Sequence, residues 1–174
     1  MAKAYSLGPC TLEFKPRTGS GAETIIITET FEDDDTNLTS TVSPFEIKID
    51  QALGPVLSKV ANVEASLACS IPFDPEVASK LCAEWEKGAT GFALGNIGAV
   101  SEVFELTIKP KGSTEPADWL VAPHVTVKAD TSVDFKKEGL SKFAVNVMFA
   151  SDERAAEKTF GKVLTTGDYT KVSA

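Results

Sequence analysis

Apolar and polar positions alternate along most of this chain, and alternation with a period of two is the signature of strands with one buried face. Residues 10–15 place Cys10, Leu12 and Phe14 on one side. Residues 24–31 (TIIITETF) form a β-branched run whose two apolar faces predict a strand buried on both sides. Residues 45–49 oppose Phe45, Ile47 and Ile49 to Glu46 and Lys48. Residues 63–71 set Val63, Ala65, Leu67, Cys69 and Ile71 against Glu64, Ser66 and Ser70. Further strands are predicted at 102–109, with Phe104, Leu106 and Ile108 inward, and at 119–122 and 124–129. The last, 142–150, lines Phe143, Val145, Val147 and Phe149 along one face. Its other face, Ala144, Asn146, Met148 and Ala150, is too apolar for free water and too thin for a core, which suggests contact with another subunit.

One stretch breaks the alternation. Asp74, Pro75 and Glu76 supply an N-cap, a proline at the first helical position and an acid in the first turn. Val77, Leu81 and Trp85 then recur at helical spacing, and Lys87-Gly88 reads as a basic last turn closed by a C′ glycine. A three-turn helix from about Asp74 to Lys87 is therefore predicted, with one apolar stripe to cover a sheet. Residues 88–98 are glycine-rich and read as a loop or an irregular hairpin, and residues 154–174 form a tail anchored by Phe160, Val163 and Leu164. The sum is about nine strands and one flanking α-helix in a single antiparallel domain spanning 1–174: mainly β, a sandwich or a barrel.

The bulk numbers fit one folded domain, with 174 residues, 43% hydrophobic and 24% charged. A net charge of -8 opposes tight binding to nucleic acid or to an anionic membrane. The charge is uneven: residues 1–87 carry 14 acidic against 7 basic side chains, and the remainder 11 against 10. One acidic face or a generally solvated surface would each produce that pattern. The N-terminus has no apolar core of a signal peptide, and no apolar run approaches the length of a membrane helix. Cys10, Cys69 and Cys82 are odd in number and form no CxxC pair, so they read as small residues of a reducing compartment. The sequon Asn37-Leu38-Thr39 lacks a secretory context and reads as chance.

Catalytic chemistry finds little support. Any Ser-His-Asp or Cys-His arrangement would need the single histidine, His124, which sits on a polar strand face beside Pro123. One histidine and three scattered cysteines supply no soft-metal cluster. Glu32, Asp33, Asp34 and Asp35 lack the spaced calcium-loop pattern, and four adjacent carboxylates cannot all point at one ion. Carboxylates are numerous enough to leave a paired-acid site open on composition alone. The glycines at 88, 91, 95 and 98 form no phosphate-binding motif. No catalytic, metal or cofactor residue is assigned.

A chain of many strands must manage its unpaired edges, and closed self-assembly is one way to do so. Residues 31–44 show no clear periodicity and read as a long loop, acidic at its start and Thr/Ser-rich at its end. Such a segment either orders against a neighbouring subunit or remains an ordinary solvated loop.

The order of features then resembles a known family. An opening GPCTLEF strand leads to a β-branched strand and a long polar loop; paired strands and a capped helix (FDPEVASKLCAEWEKG) follow, then KFAVNVMFAS and a polar tail containing TGDYT. This is similar to the major tail tube proteins of long-tailed bacteriophages. The resemblance implies a β-sandwich with one helix that assembles into homohexameric rings, stacked into a tube through which double-stranded DNA passes without specific binding. It also implies tail terminator, tape measure and distal tail proteins as partners, and a place in the virion after assembly in the host bacterial cytoplasm. By position, the loop containing Glu32, Asp33, Asp34, Asp35, Asn37, Leu38 and Thr39 would contact the next ring. The face of Ala144, Asn146 and Met148 would meet a neighbouring subunit, and Glu46, Glu64, Glu102 and Glu105 are candidates for the lumen wall. Two other readings remain: a ring protein of a contractile or type VI secretion-like tube, and a carbohydrate- or receptor-binding β-sandwich using Trp119.

Overall fold

A computed structural model describes residues 2–6, 10–17, 23–28, 30–31, 36–48, 55–128, 132–134, 141–150 and 164–166. Strands β1 (Ala2–Ser6), β2 (Cys10–Pro16) and β3 (Ile25–Ile27) precede the long pair β4 (Asn37–Lys48) and β5 (Pro55–Pro72). Helix α1 (Pro75–Leu81) follows, then β6 (Trp85–Lys87), β7 (Phe92–Leu94) and β8 (Val103–Pro110). A 3-10 turn at Pro116–Asp118 leads into β9 (Leu120–Val127), and β10 (Ser132–Asp134), β11 (Lys142–Phe149) and β12 (Thr165–Thr166) complete the order. The protein is mainly β with one α-helix, as the alternation predicts.

Ten strands form one antiparallel sheet in the order β1-β4-β5-β11-β9-β8-β2-β3, with β10 beside β11 and β12 beside β9. β6 and β7 make a separate hairpin. The inward side chains of β2 and β8 (Leu12, Phe14, Phe104, Ile108) belong to the same buried core as those of β5 and β11 (Leu67, Ile71, Phe143, Val147). The sheet is therefore curled over its own apolar face. Burying each of these large side chains contributes about 1.5–3 kcal/mol, which is what drives the curl. The rings of Phe14 and Phe104 meet edge-to-face at 5.8 Å, as do those of Phe73 and Phe143. After β3 the chain links two parts of the sheet: the Cys10 N–H donates to Thr30 Oγ1 (3.3 Å), and the Phe31 N–H donates to the Ser70 carbonyl (3.0 Å).

The alternation places the inward residues correctly in β2, β5, β8 and β11, whose buried positions recur every second residue. The stretches 119–122 and 124–129 join into one strand, β9, despite Pro123 at its centre. Leu106 pairs with Ala122 and Phe104 with Val125, so one extra residue on β9 is accommodated at that point. Proline donates no ladder hydrogen bond, and a bulge is where a strand tolerates it. The Pro123 carbonyl accepts a hydrogen bond from the Arg17 guanidinium.

Three expectations are corrected. The helix spans Pro75–Leu81 rather than running to Lys87. Asp74 caps it as expected, its side chain accepting from the Glu76 N–H at 2.8 Å. Leu81 and Cys82 then both enter the core, and Cys82 is already extended. Trp85 leaves the helical path for β6, where its ring packs on Phe73 at 5.5 Å. Gly88 is thus no helix cap; its N–H donates to Gly91 in the β6–β7 hairpin. Second, the strand at 24–31 shortens to Ile25–Ile27 and is buried on one face only, since Ile26 is 57% exposed.

The third correction concerns the loop at 31–44. Residues Asn37–Lys48 are strand, paired along their length with β5. Polar Thr/Ser composition hid this, because a strand with one solvated face needs no strong apolar signal there. In the tail, Leu164 packs against the core and β12 pairs with β9 at Val121 and Leu120; Phe160 and Val163 lie outside the described residues.

Candidate assembly interface

Two surfaces stand out, and both arise from β4 and β5. The first is an extended ribbon. β1 pairs with Asn37–Thr41 on one side of β4, while β11 pairs with Ala65–Pro72 on one side of β5. Beyond those limits, residues 42–48 and 55–64 pair only with each other among the described residues. Seven strand residues span roughly 24 Å. The ribbon carries register shifts at Ser43/Pro44 and Ile47/Lys48, and its outer backbone edges have no strand beside them among the described residues. A two-stranded ribbon is at best marginally stable in water on its own.

The second surface is the outward face of β4, β5, β11 and β9. Cross-strand partners share a face, so register defines its rows. Thr39 pairs with Ser66, Ser66 with Met148, and Met148 with Thr126. In the next row Asn37 pairs with Ala68, and Ala68 with Asn146; beyond it Ser70 pairs with Ala144. Charged side chains flank these rows: Lys128, whose N–H donates to the Asn146 carbonyl at 2.7 Å, and Glu64, opposite Thr41, lie on the same face, and Met148 between them is 41% exposed.

The predicted interface residues Ala144, Asn146 and Met148 are thus brought together, and Asn37 and Thr39 join them. Leu38 does not, for it is buried in the core. Glu32, Asp33, Asp34 and Asp35 lie outside the described residues, but both sides of that segment are anchored. Thr30 and Thr36 are buried, and the Thr36 hydroxyl donates to Thr30 Oγ1 at 3.2 Å. Ser66, Ala68 and Thr126 were not singled out from the sequence; the small polar positions of residues 63–71 were the available signal.

The four candidate lumen carboxylates do not share one face of the chain. Glu64 pairs with Thr41 on the outer face, whereas Glu46 falls at the opposite parity along β4 and so lies on the other side of the ribbon. Glu105 lies opposite Lys15 in the β2–β8 pairing. Glu102 lines a cavity of about 350 Å³ walled by Ile25, Leu81, Phe104 and Val100.

Cys10, Cys69 and Cys82 are free and buried. Burial pushes the Cys10 thiol up, opposed by the neighbouring Thr36 and Thr30 hydroxyls. Burial, reinforced by nearby Cys10, pushes Cys69 to about 12. Neither suits a nucleophile, which needs accessible thiolate. Among the described residues no group of three or more His, Cys, Asp or Glu is placed to hold a metal ion. Trp119 carries Lys109 Nζ over its ring at 4.1 Å from the centroid, and Lys109 also pairs with Glu13. The indole is therefore partly covered rather than offered as an open platform.

No protein-family model matches this chain, and no curated protein matches it by sequence.

Proposed function

We propose that this chain is a structural subunit that works by assembling with copies of itself, in the manner of a phage tail tube: homohexameric rings stacked into a hollow tube that passes double-stranded DNA. The observation that carries the reading is the β4–β5 ribbon. Its two strands leave the body of the sheet and have no strand beside their outer edges among the described residues, a form that gains stability when another chain supplies hydrogen bonds there. The outer face around Met148, built of small side chains between Glu64 and Lys128, supplies a second surface suited to subunit contact.

The net charge of -8 suits a conduit for DNA, because like charge lets a polyanion slide rather than adhere. On this reading the contact between successive rings, which the family resemblance gives to the segment 31–44, falls to the ribbon. Tail terminator, tape measure and distal tail proteins would be its further partners. The covered indole of Trp119 weakens the alternative of a carbohydrate-binding sandwich.

Light scattering and electron microscopy of the purified protein test the proposal. Rings or tubes roughly 100 Å across are expected, from six domains of this size around a channel. A protein that stays monomeric at high concentration, even with tail completion proteins added, would refute it.

A further inference from the structure

Strand β12 continues the line of β11 after a break in the chain. β11 runs antiparallel to β9, with Phe149 opposite Val125, and the Ala150 N–H donates to the His124 carbonyl at 2.8 Å. Continued in the same register, β11 would bring residue 153 to Val121 and residue 154 to Leu120. Thr165 and Thr166 hold those places instead, in the same direction and twelve residues later. On the other edge of β9, Val121 pairs with Thr107 and Leu120 with Ile108. β12 therefore fills the stretch of β9 edge that β11 leaves open.

The break is far longer than that geometry requires. Ala150 stands at His124 and Thr165 at Val121, three residues or about 10 Å apart along β9. Residues 151–163 place thirteen residues between Ala150 and Leu164. Fully extended, a segment of that length spans about 45 Å. The seat itself is small: β12 is two residues long, and Leu164 beside it packs against the core. A strand held by two residue pairs near a chain end opens more readily than the long strands around it.

We infer that β12 is exchanged between subunits, so that residues 164–166 of one copy take the seat on β9 of its neighbour, at Leu120 and Val121. The seat identifies its own occupant, because the structure shows it filled by this segment. The same residues of a second copy fit it with the same hydrogen bonds and the same Leu164 contact, so exchange sacrifices nothing in contacts. Reach separates the two arrangements. Return to the same subunit needs only a few residues, whereas the thirteen present match the distance of about 40 Å between the centres of adjoining domains of this size. Once assembly brings the neighbour's β9 within that reach, its seat competes at high effective concentration. Each exchanged strand then ties one subunit to the next. The inference rests on the self-assembly reading and adds a tether to it.

Engineered cysteines test it. The three native thiols are buried, so new ones should dominate the chemistry. The double variant Leu120→Cys/Thr166→Cys puts two thiols at opposed strand positions. Oxidised after assembly, it is expected to give a ladder of linked subunits on a denaturing, non-reducing gel. A mixture of the two single variants is expected to give a linked dimer, which can form only between chains. Disulfides confined to monomers in the assembled double variant would overturn the exchange and leave the assembly reading intact, since β12 would then stay with its own subunit. A chain ended at Val163, with its far-ultraviolet circular dichroism retained, is expected to need about tenfold more protein to assemble. Assembly of that shortened chain at an unchanged concentration would overturn the exchange as well. Absence of any self-association by the unmodified protein would remove both readings.

Discussion

Thr36 and Thr30, six residues apart, join their buried hydroxyls at 3.2 Å, and the same Thr30 oxygen accepts the Cys10 N–H at the start of β2. One oxygen thereby serves two donors from separate parts of the chain. Thr30→Val leaves both donors without that acceptor, whereas Thr36→Val removes one of them. Each orphaned buried donor costs about 1–3 kcal/mol. Urea denaturation should therefore rank Thr30→Val as the more destabilising change. Equal losses would show that the Cys10 contact adds nothing.

The Cys69 thiol supplies a test in alkali. Its folded pKa of about 12 stands above the ordinary 9.0, so the folded state disfavours the thiolate. The stabilising contribution is complete below the ordinary value and is lost as pH rises toward the folded one. Between these limits the loss from this group approaches about 1.4 kcal/mol per pH unit. Cys69→Ala should lower stability at neutral pH through lost packing, yet show a shallower decline from pH 9 to pH 11. Parallel slopes for the two proteins would contradict the assignment.

Asp74 anchors the only α-helix among the described residues, and α1 is just seven residues long. A helix this short relies on its cap and its buried Ala78 and Leu81 more than on propensity. Asp74→Ala is expected to cost about 1 kcal/mol in thermal or chemical denaturation, and Asp74→Ser to recover most of it. Glu76, beside Lys80 at 3.2 Å and near Lys87, titrates below the usual carboxylate range. Its favourable interaction is present above the unfolded value and fades as pH falls through the lowered folded one, a shift that carbon-detected NMR titration can follow.

Amide exchange tests the ribbon. Residues 42–48 and 55–64 pair only with each other among the described residues, so their amides should exchange faster in isolated subunits than those of β8 or β11. Assembly should slow them selectively. Unchanged exchange there, with protection gained elsewhere, would place the subunit contact on a different surface.

Much of the architecture was legible in the residues. Strict alternation in β2, β8 and β11 specifies both strand and inward face, because burial on one side of a sheet repeats every second residue. Asp74-Pro75-Glu76 announced a helix start through groups that act locally. The weak polarity of Ala144, Asn146 and Met148, too apolar for free water and too thin for a core, also marked their face as unusual without any fold.

Other features depend on partners distant in sequence. Residues 37–44 carry too few apolar side chains to declare a strand; pairing with β5 makes them one. The stripe of Val77, Leu81 and Trp85 favoured a longer helix, but the core took Leu81 and Cys82 together and Phe73 drew Trp85 into a strand. Pro123 looked like a strand break, yet a bulge against β8 accommodates its missing donor. The sequence by itself determined which residues prefer water, which face inward and where a helix begins, since those are local preferences. Only the tertiary structure decided that Asn37, Thr39, Ser66, Asn146 and Met148 share one surface and that β4 and β5 continue as a ribbon, because register between strands is set by contacts no local pattern contains.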